Sequence, residues 1–329
     1  MVDKEQPDLL IVSSSPHLKT RETTQRLMAD VLIALAPAAA VAFWLFGLRA
    51  IALVVAAVAS AVLTEHAVAA LGKRKTTVGD LSAAITGLLI AFNIPPSAPF
   101  WLPVVGSMFA VLVVKVAFGG LGGNFLNPAL AARAMLLAAW PVHMTKWVRP
   151  FDLVATATPL ATLVPKGVAG AELPTLAEMF IGRIPGCLGE TSAIALLIGG
   201  AYLLWRKVID WHTPVGFIGT VAVLTLVFGP SGLLSDITFA GRLQASASHV
   251  LSGGLMLGAW FMATDYVTSP VTPKGRLIMG IGCGLLTVLI RLWGGYPEGV
   301  SYSILIMNVA TPLIDRFTVP RKFGLVKKA

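Results

Sequence analysis

The chain has 329 residues, 56% of them hydrophobic and only 12% charged, with a mean hydropathy of +0.80. Those proportions exclude an ordinary soluble domain, in which roughly 25% of residues are charged. The formal net charge of +9 suits basic cytoplasmic loops of a membrane protein, so no nucleic-acid partner is expected.

Residues 1–26, "MVDKEQPDLLIVSSSPHLKTRETTQR", are polar and lack the apolar core of a secretory signal. They predict a cytoplasmic N-terminal segment, with insertion through the first span. Apolar runs near membrane-spanning length then fall at 27–46, 50–72, 78–94, 100–118 and 125–142. The longest connection, 143–188, is too long for a simple turn and is expected to carry function. Five more runs fall at 189–206, 213–229, 247–265, 275–293 and 300–317, before a short tail, 318–329. Runs of this length predict an all-α polytopic bundle of about ten transmembrane helices rather than a β-barrel.

With the N-terminus inside, 16 of the 25 Lys and Arg residues lie on cytoplasmic segments, among them Lys73, Arg74, Lys75, Arg206, Lys207, Lys274 and Arg276. Arg49, Lys146, Arg149, Arg183 and Arg291 fall outside. The positive-inside rule therefore predicts both termini in the cytoplasm and the 143–188 loop on the outer face, bounded by lipid in between.

The two halves, 27–142 and 189–317, resemble each other. "AFNIPPSAP" before the fourth run parallels "TDYVTSPVTP" before the ninth; Pro95 and Pro270, like Gly119 and Gly294, are 175 residues apart. A repeat with an odd number of spans enters the membrane from opposite sides in its two copies, which predicts inverted five-helix repeats.

Four glycines, two asparagines and a proline crowd "FGGLGGNFLNPALAARA", residues 118–134. Gly122 and Gly123 let backbone approach a ligand, and Asn124 and Asn127 offer amides where water is scarce. A tight interhelical turn with an Asn cap explains the same residues. Charged residues in or beside the spans include Asp30, Glu65, Asp80, Lys115, Arg133, Glu190, Asp265 and Asp315. Such groups mark ion pathways by default. Most sit near interfaces, whereas Asp265 lies beside the Pro-rich break and is the ion-pathway candidate. Glu190, Thr191 and Ser192 stand at the start of the sixth run, as a helix cap or as ligands. The two cysteines, Cys187 and Cys283, are far apart, so no metal or cluster site is expected from this chain alone, and no motif for hydrolytic catalysis is present.

The loop contains "DLVATATPLATL", with Asp152, Ala157 and Thr158 ahead of Pro159-Leu160. This is similar to the flavinylation signature Asp, two free positions, Ser or Thr, Gly, Ala, Thr, in which FMN is joined to the last Thr through a phosphodiester. Ala155 and Thr156 depart from it, standing where Ser or Thr and Gly are usual. "GGLGGNFLNPALAARA", "GETSAIALLIGG" and "EGVSYSILIMNVATPLIDR" extend the likeness over essentially the whole chain. Together they resemble the family formed by the D subunits of Rnf electron-transport complexes and the related B subunits of sodium-pumping NADH:quinone reductases.

The resemblance implies a membrane electron relay in a complex that moves electrons between ferredoxin and NAD and couples them to Na⁺ or H⁺ translocation. It implies covalent FMN on Thr158, not on Thr156 or Thr162, and a noncovalent riboflavin, for which the Gly/Asn break is the candidate contact. It also implies as partners the A, B, C, E and G subunits of an Rnf complex and a flavin transferase, in a bacterial or archaeal cytoplasmic membrane. The chain has no dinucleotide fingerprint and no cluster ligands, so it is not expected to meet NAD or ferredoxin or to complete the reaction alone. A secondary transporter or channel on inverted repeats is the rival reading.

Overall fold

The computed structural model describes residues 22–73, 76–152, 154–163, 174–229, 238–294 and 298–319. Most of the polar N-terminal segment, the middle of the long loop and nearly all of the C-terminal tail lie outside these ranges. Every named element among the described residues is a helix, and the one β-type contact among them is an isolated bridge between Val148 and Ala155.

In chain order the helices are α1 (Thr24–Leu71), α2 (Ser82–Phe92), α3 (Trp101–Phe109), α4 (Pro128–Ala139), α5 (Pro141–Met144), α6 (Pro159–Leu163), α7 (Leu176–Ile181), α8 (Ala193–Trp205), α9 (His212–Phe228), α10 (Phe239–Leu251), α11 (Leu255–Leu257), α12 (Pro273–Trp293) and α13 (Val300–Thr318). Two of them widen into π-helical turns: α3 continues over Ala110–Val116 and α11 over Gly258–Met262.

α1 joins the first two predicted runs. Its single non-helical residue is Gly47, at φ 63° and ψ −150°, a conformation that costs glycine little. α2 is buried on almost every side, which suits a helix apolar all round. The predicted run 247–265 differs from the structure. α10 begins earlier, at Phe239, and the chain then breaks at Ser252–Gly254, with Gly253 and Gly254 both at positive φ, before α11 resumes. Polar residues such as Arg242 and Gln244 masked the start of α10, and the glycine pair supplies the break.

Close packing relies on small residues. A Cβ on Gly199 of α8 would lie 2.0 Å from the Ala34 carbonyl oxygen of α1, and one on Gly280 of α12 would lie 2.5 Å from the Thr213 carbonyl oxygen of α9. Backbones this close are the usual way helices associate where apolar side chains gain nothing by leaving their solvent. The outer surface is apolar: Trp44, Leu48, Val55 and Leu63 on α1, Val223 and Val227 on α9, and Ile306, Val309 and Leu313 on α13 are all exposed. Such a surface suits lipid rather than water. By length and composition α1 and α12 can cross a membrane, and α2, α3 with its extension, α4, α8 and α9 are shorter apolar helices.

Candidate functional site

The start of the 143–188 loop folds back on itself. Arg149 N donates to Val154 O at 2.9 Å and Thr156 N to Trp147 O at 3.2 Å, enclosing the Val148–Ala155 bridge. At the bend Phe151 holds φ 68°, strained for a bulky side chain. Its ring packs edge-on against Trp44 at 5.4 Å, and its amide donates to Leu45 O at 3.2 Å. Asp152 is exposed at this tip and Ala157 is exposed beyond the base. Thr158 follows, partly exposed; its Oγ1 accepts from Ala161 N at 3.3 Å and so caps α6, where Pro159 takes the first position. Thr156 differs, its hydroxyl being buried with no partner among the described residues. Thr162 lies in α6, and its side chain is outside the description. At the far end of the loop Thr175 and Glu178 form a capping box on α7, whose Thr175 amide and hydroxyl hold the exposed Glu178 carboxyl below its usual range.

Thr158 lines a cavity of about 180 Å³ together with Arg133, Leu137, Met144, Trp147, Glu298 and Tyr302, among others. Behind it lies a buried charge network. Arg133 Nη1 donates to Asn93 Oδ1 and to Glu190 Oε1, each at 2.7 Å; Nη2 donates to Glu298 Oε2 and, at 3.6 Å, to Cys187 Sγ. The segment carrying Cys187 and Glu190 dips into the bundle, where Leu188 N and Gly189 N donate to Ile94 O and Phe92 O at 3.1 and 3.0 Å. The ligand atoms of Cys187, Glu190 and Glu298 lie within 4.8 Å of one another. The Arg133 guanidinium bonds to all three, so the chain already supplies the positive charge such a cluster requires. Arg291, expected on the outer side, is buried at the end of α12 and donates to His249 O at 2.6 Å, Ser252 O at 3.1 Å and Glu298 O at 3.1 Å.

A second cavity, of about 100 Å³, brings together three residues singled out in the sequence: Asn124, Asn127 and Asp265 all line it, beside Ser82, Thr86 and Lys115. Asn127 is the N-cap of α4, its Oδ1 accepting from Ala129 N and Leu130 N at 3.1 and 3.3 Å, while its Nδ2 donates to Met262 O at 3.3 Å. The capping explanation of this residue is thus realised, and both ends of its amide are bonded. Asn124 donates to Leu126 O at 3.1 Å. Gly122 and Gly123 lie in the turn leading to the cavity and not in its wall. Gly122 has φ 93°, and a Cβ on Gly123 would meet the Phe118 carbonyl oxygen at 2.3 Å, so the turn itself requires both. Asp265 accepts from Thr268 Oγ1 at 3.1 Å.

The remaining charges are mostly structural. Lys115 pairs with Glu65 at 2.9 Å and donates to Ser82 Oγ at 2.6 Å; Asp30 accepts from Tyr202 and Arg206 at 2.9 and 3.1 Å; Asp80 accepts from Ser82 N and Asp315 from Val271 N. Glu298 was not apparent from the sequence, because it reads as one more loop carboxylate until α4 and α13 are brought together.

Comparison with known proteins matches residues 11–324 to the NQR2, RnfD, RnfE family. The chain is 52% identical over 322 residues to the D subunit of the Na⁺-translocating ferredoxin:NAD⁺ oxidoreductase complex of Acetobacterium woodii, covering 97% of this chain and 96% of that one. It is 44% identical over 329 residues to the D subunit of the proton-translocating ferredoxin:NAD⁺ oxidoreductase complex of Clostridium ljungdahlii, covering 96% and 97%. It is 37% identical over 351 residues to the D subunit of the ion-translocating oxidoreductase complex of Escherichia coli K12, covering 95% and 98%.

Proposed function

The chain belongs to the NQR2, RnfD, RnfE family, and from that membership we propose that it is the membrane electron relay, the D subunit, of an Rnf-type ferredoxin:NAD oxidoreductase complex. The observation that carries this is the match of nearly the whole chain, at 52% and 44% identity, to subunits named for that reaction. The complex couples electron transfer to translocation of Na⁺ or H⁺, and its other subunits are this chain's partners. Its place is the bacterial cytoplasmic membrane.

We read the bundle as ten spans in two inverted repeats with both termini inside. The polar contacts support this by sorting into two sets. Arg49 donates to the carbonyls of Pro96, Ser97 and Ala98, and Phe151 N to Leu45 O, all between predicted outer segments. Asp30 with Arg206, Arg276 with Asp210 and Tyr266 with the Val208 carbonyl all join predicted inner segments. The repeat is supported by α2 and α11, which each follow a residue at positive φ, Leu81 and Gly254, and whose ends meet where Asn93 Nδ2 approaches Met262 Sδ at 3.7 Å. A reporter fused after Ala329 is expected to be active only on the cytoplasmic side; activity on the outside reverses the orientation.

For the cofactors, the reading places covalent FMN on Thr158. A partly exposed residue whose hydroxyl is held by the α6 cap, with exposed neighbours in the loop, is open to a transferase, which a buried hydroxyl such as that of Thr156 is not. FMN supplies the capacity to accept and donate electrons singly; the loop holds it at the outer face. Intact mass with peptide mapping of residues 143–188 tests this, and an unmodified loop from a chain produced with its transferase would refute it.

Riboflavin is assigned to the Asn124 cavity. Asn124, Ser82 and Thr86 supply the donors and acceptors that a flavin edge needs. The cavity volume, about 100 Å³, is below the roughly 150 Å³ that takes up a benzene ring, so it fits the polar edge and not the whole ring system. Because Asn127 is structural, Asn124→Leu is the cleaner test. It is expected to lower extractable riboflavin with covalent FMN unchanged, at a cost of about 1–3 kcal/mol of binding. Full riboflavin content in the variant moves the site elsewhere.

A further inference from the structure

We propose that the cavity beside Thr158 is the seat of the flavin ring tethered there, with one end of the isoalloxazine held between α4 and α13. The inference rests on the assignment of FMN to Thr158.

Four observations carry it. Thr158 is itself a wall of the cavity, so a group bonded to this residue starts beside it. The volume, about 180 Å³, exceeds the roughly 150 Å³ that takes up a benzene ring, so one end of a fused aromatic system enters while the rest stays at the mouth. The walls have the character of a small-molecule site: Leu137, Met144, Trp147 and Tyr302 present apolar and aromatic surface, and Arg133 and Glu298 are the charged groups. Finally, Trp147 belongs to the folded-back segment whose other strand leads to Thr158, so the tether and one wall are fixed to each other through the Thr156 N to Trp147 O hydrogen bond.

The seat follows from the chemistry of the tether. A phosphodiester and ribityl chain is polar and flexible and remains comfortably in water, whereas the ring gains by leaving it. Aromatic side chains are favourable neighbours for a flat π-system, which stacks on them offset or edge-on. A ring lodged here touches α4 from the first half and α13 from the second. It also lies against Arg133, whose fork is fixed by Asn93, Glu190 and Glu298 and therefore does not swing into the space.

The test uses the full chain, produced with its flavin transferase and purified in detergent, with the Thr158→Ala chain as the blank for any noncovalent flavin. Iodide quenching of flavin fluorescence is measured in the native and the denatured chain. The expected result is a quenching constant several-fold lower in the native state, and a flavin emission that rises when Trp147→Leu removes a stacking neighbour. Ala134→Trp, which fills the cavity from α4, is expected to raise native quenching to the denatured level while the denatured gel band stays equally fluorescent. Equal quenching of the native and denatured wild-type chain, with a fluorescent band, overturns the seat alone and leaves the attachment standing. A wild-type band without fluorescence overturns the attachment and the seat with it. Should Ala134→Trp not assemble, the wild-type comparison and Trp147→Leu decide the matter.

Discussion

Replacing Thr158 with alanine is expected to abolish in-gel flavin fluorescence and the FMN mass increment, and to reduce electron transfer through the assembled complex to background. The hydroxyl is the only atom of this residue that can bear a phosphodiester, and alanine removes nothing else but a methyl group. Thr158 caps a five-residue helix, so the substitution also loses one cap hydrogen bond, from Ala161 N. A lost cap costs about 0.5–2 kcal/mol, too little to unfold a bundle whose core lies in α1, α2, α8, α9 and α12. Assembly is therefore expected to survive and function is not, which separates a missing carrier from a missing subunit. Thr156→Ala and Thr162→Ala are the controls and keep the flavin. FMN persisting on the Thr158→Ala chain, mapped to either of these, overturns the residue assignment and leaves the family unaffected. Serine at position 158 restores a hydroxyl, and recovery of fluorescence in that variant shows that the defect was chemical and not conformational.

What could be read from the sequence was what is local. Apolar runs located most helices, and the Asn127-Pro128 pair announced the start of α4, because Asn at the cap and Pro at the first position each satisfy a requirement set within one turn. The break at Gly47 was visible too, although its sharpness was not: a single residue at positive φ suffices where a three-residue gap was expected. The start of α10 escaped because its polar first turns carry no membrane signal, while Gly253 and Gly254, which interrupt it, read as ordinary small residues in an apolar run. At the site, the loop motif, the Gly/Asn turn and Asp265 were legible as separate pieces of chemistry. Their grouping was not. Asn124 and Asp265 share a cavity across 141 residues of chain, and Arg133 meets Glu298 across a separation of 165. No periodicity or spacing encodes such pairings, because they depend on how the two halves dock. Asp265 could be set apart by its place beside the Pro-rich break, but the partners of the other charged residues appeared only in the structure.

Arg133 is the residue whose removal is expected to destabilise the bundle most. Its guanidinium is buried and is shared by Asn93 of the break after α2, Glu190 of the segment before α8 and Glu298 of the segment before α13, so it ties four parts of the chain at one point. Arg133→Met fills a similar volume but leaves two neighbouring carboxylates, Glu190 buried and Glu298 partly exposed, without the guanidinium that bonds to both. Breaking a buried pair in this way costs about 3–5 kcal/mol, much of it the penalty of the charge left behind and not the value of the bond itself. The variant is expected to lower the thermal midpoint of the purified chain sharply and to reduce its yield. The same reasoning predicts the rescue. With Glu190→Gln and Glu298→Gln added, the repulsion between the carboxylates is gone, the two amides can bond to each other and to Asn93, and part of the lost stability is expected to return, Arg291 remaining as a buried cation held by backbone carbonyls. Arg133→Lys retains the charge but not the fork, and a single ammonium cannot reach Asn93, Glu190 and Glu298 in the same geometry, so an intermediate loss is expected. A triple variant no more stable than Arg133→Met would show that Arg133 acts through its packing and not by neutralising the two carboxylates.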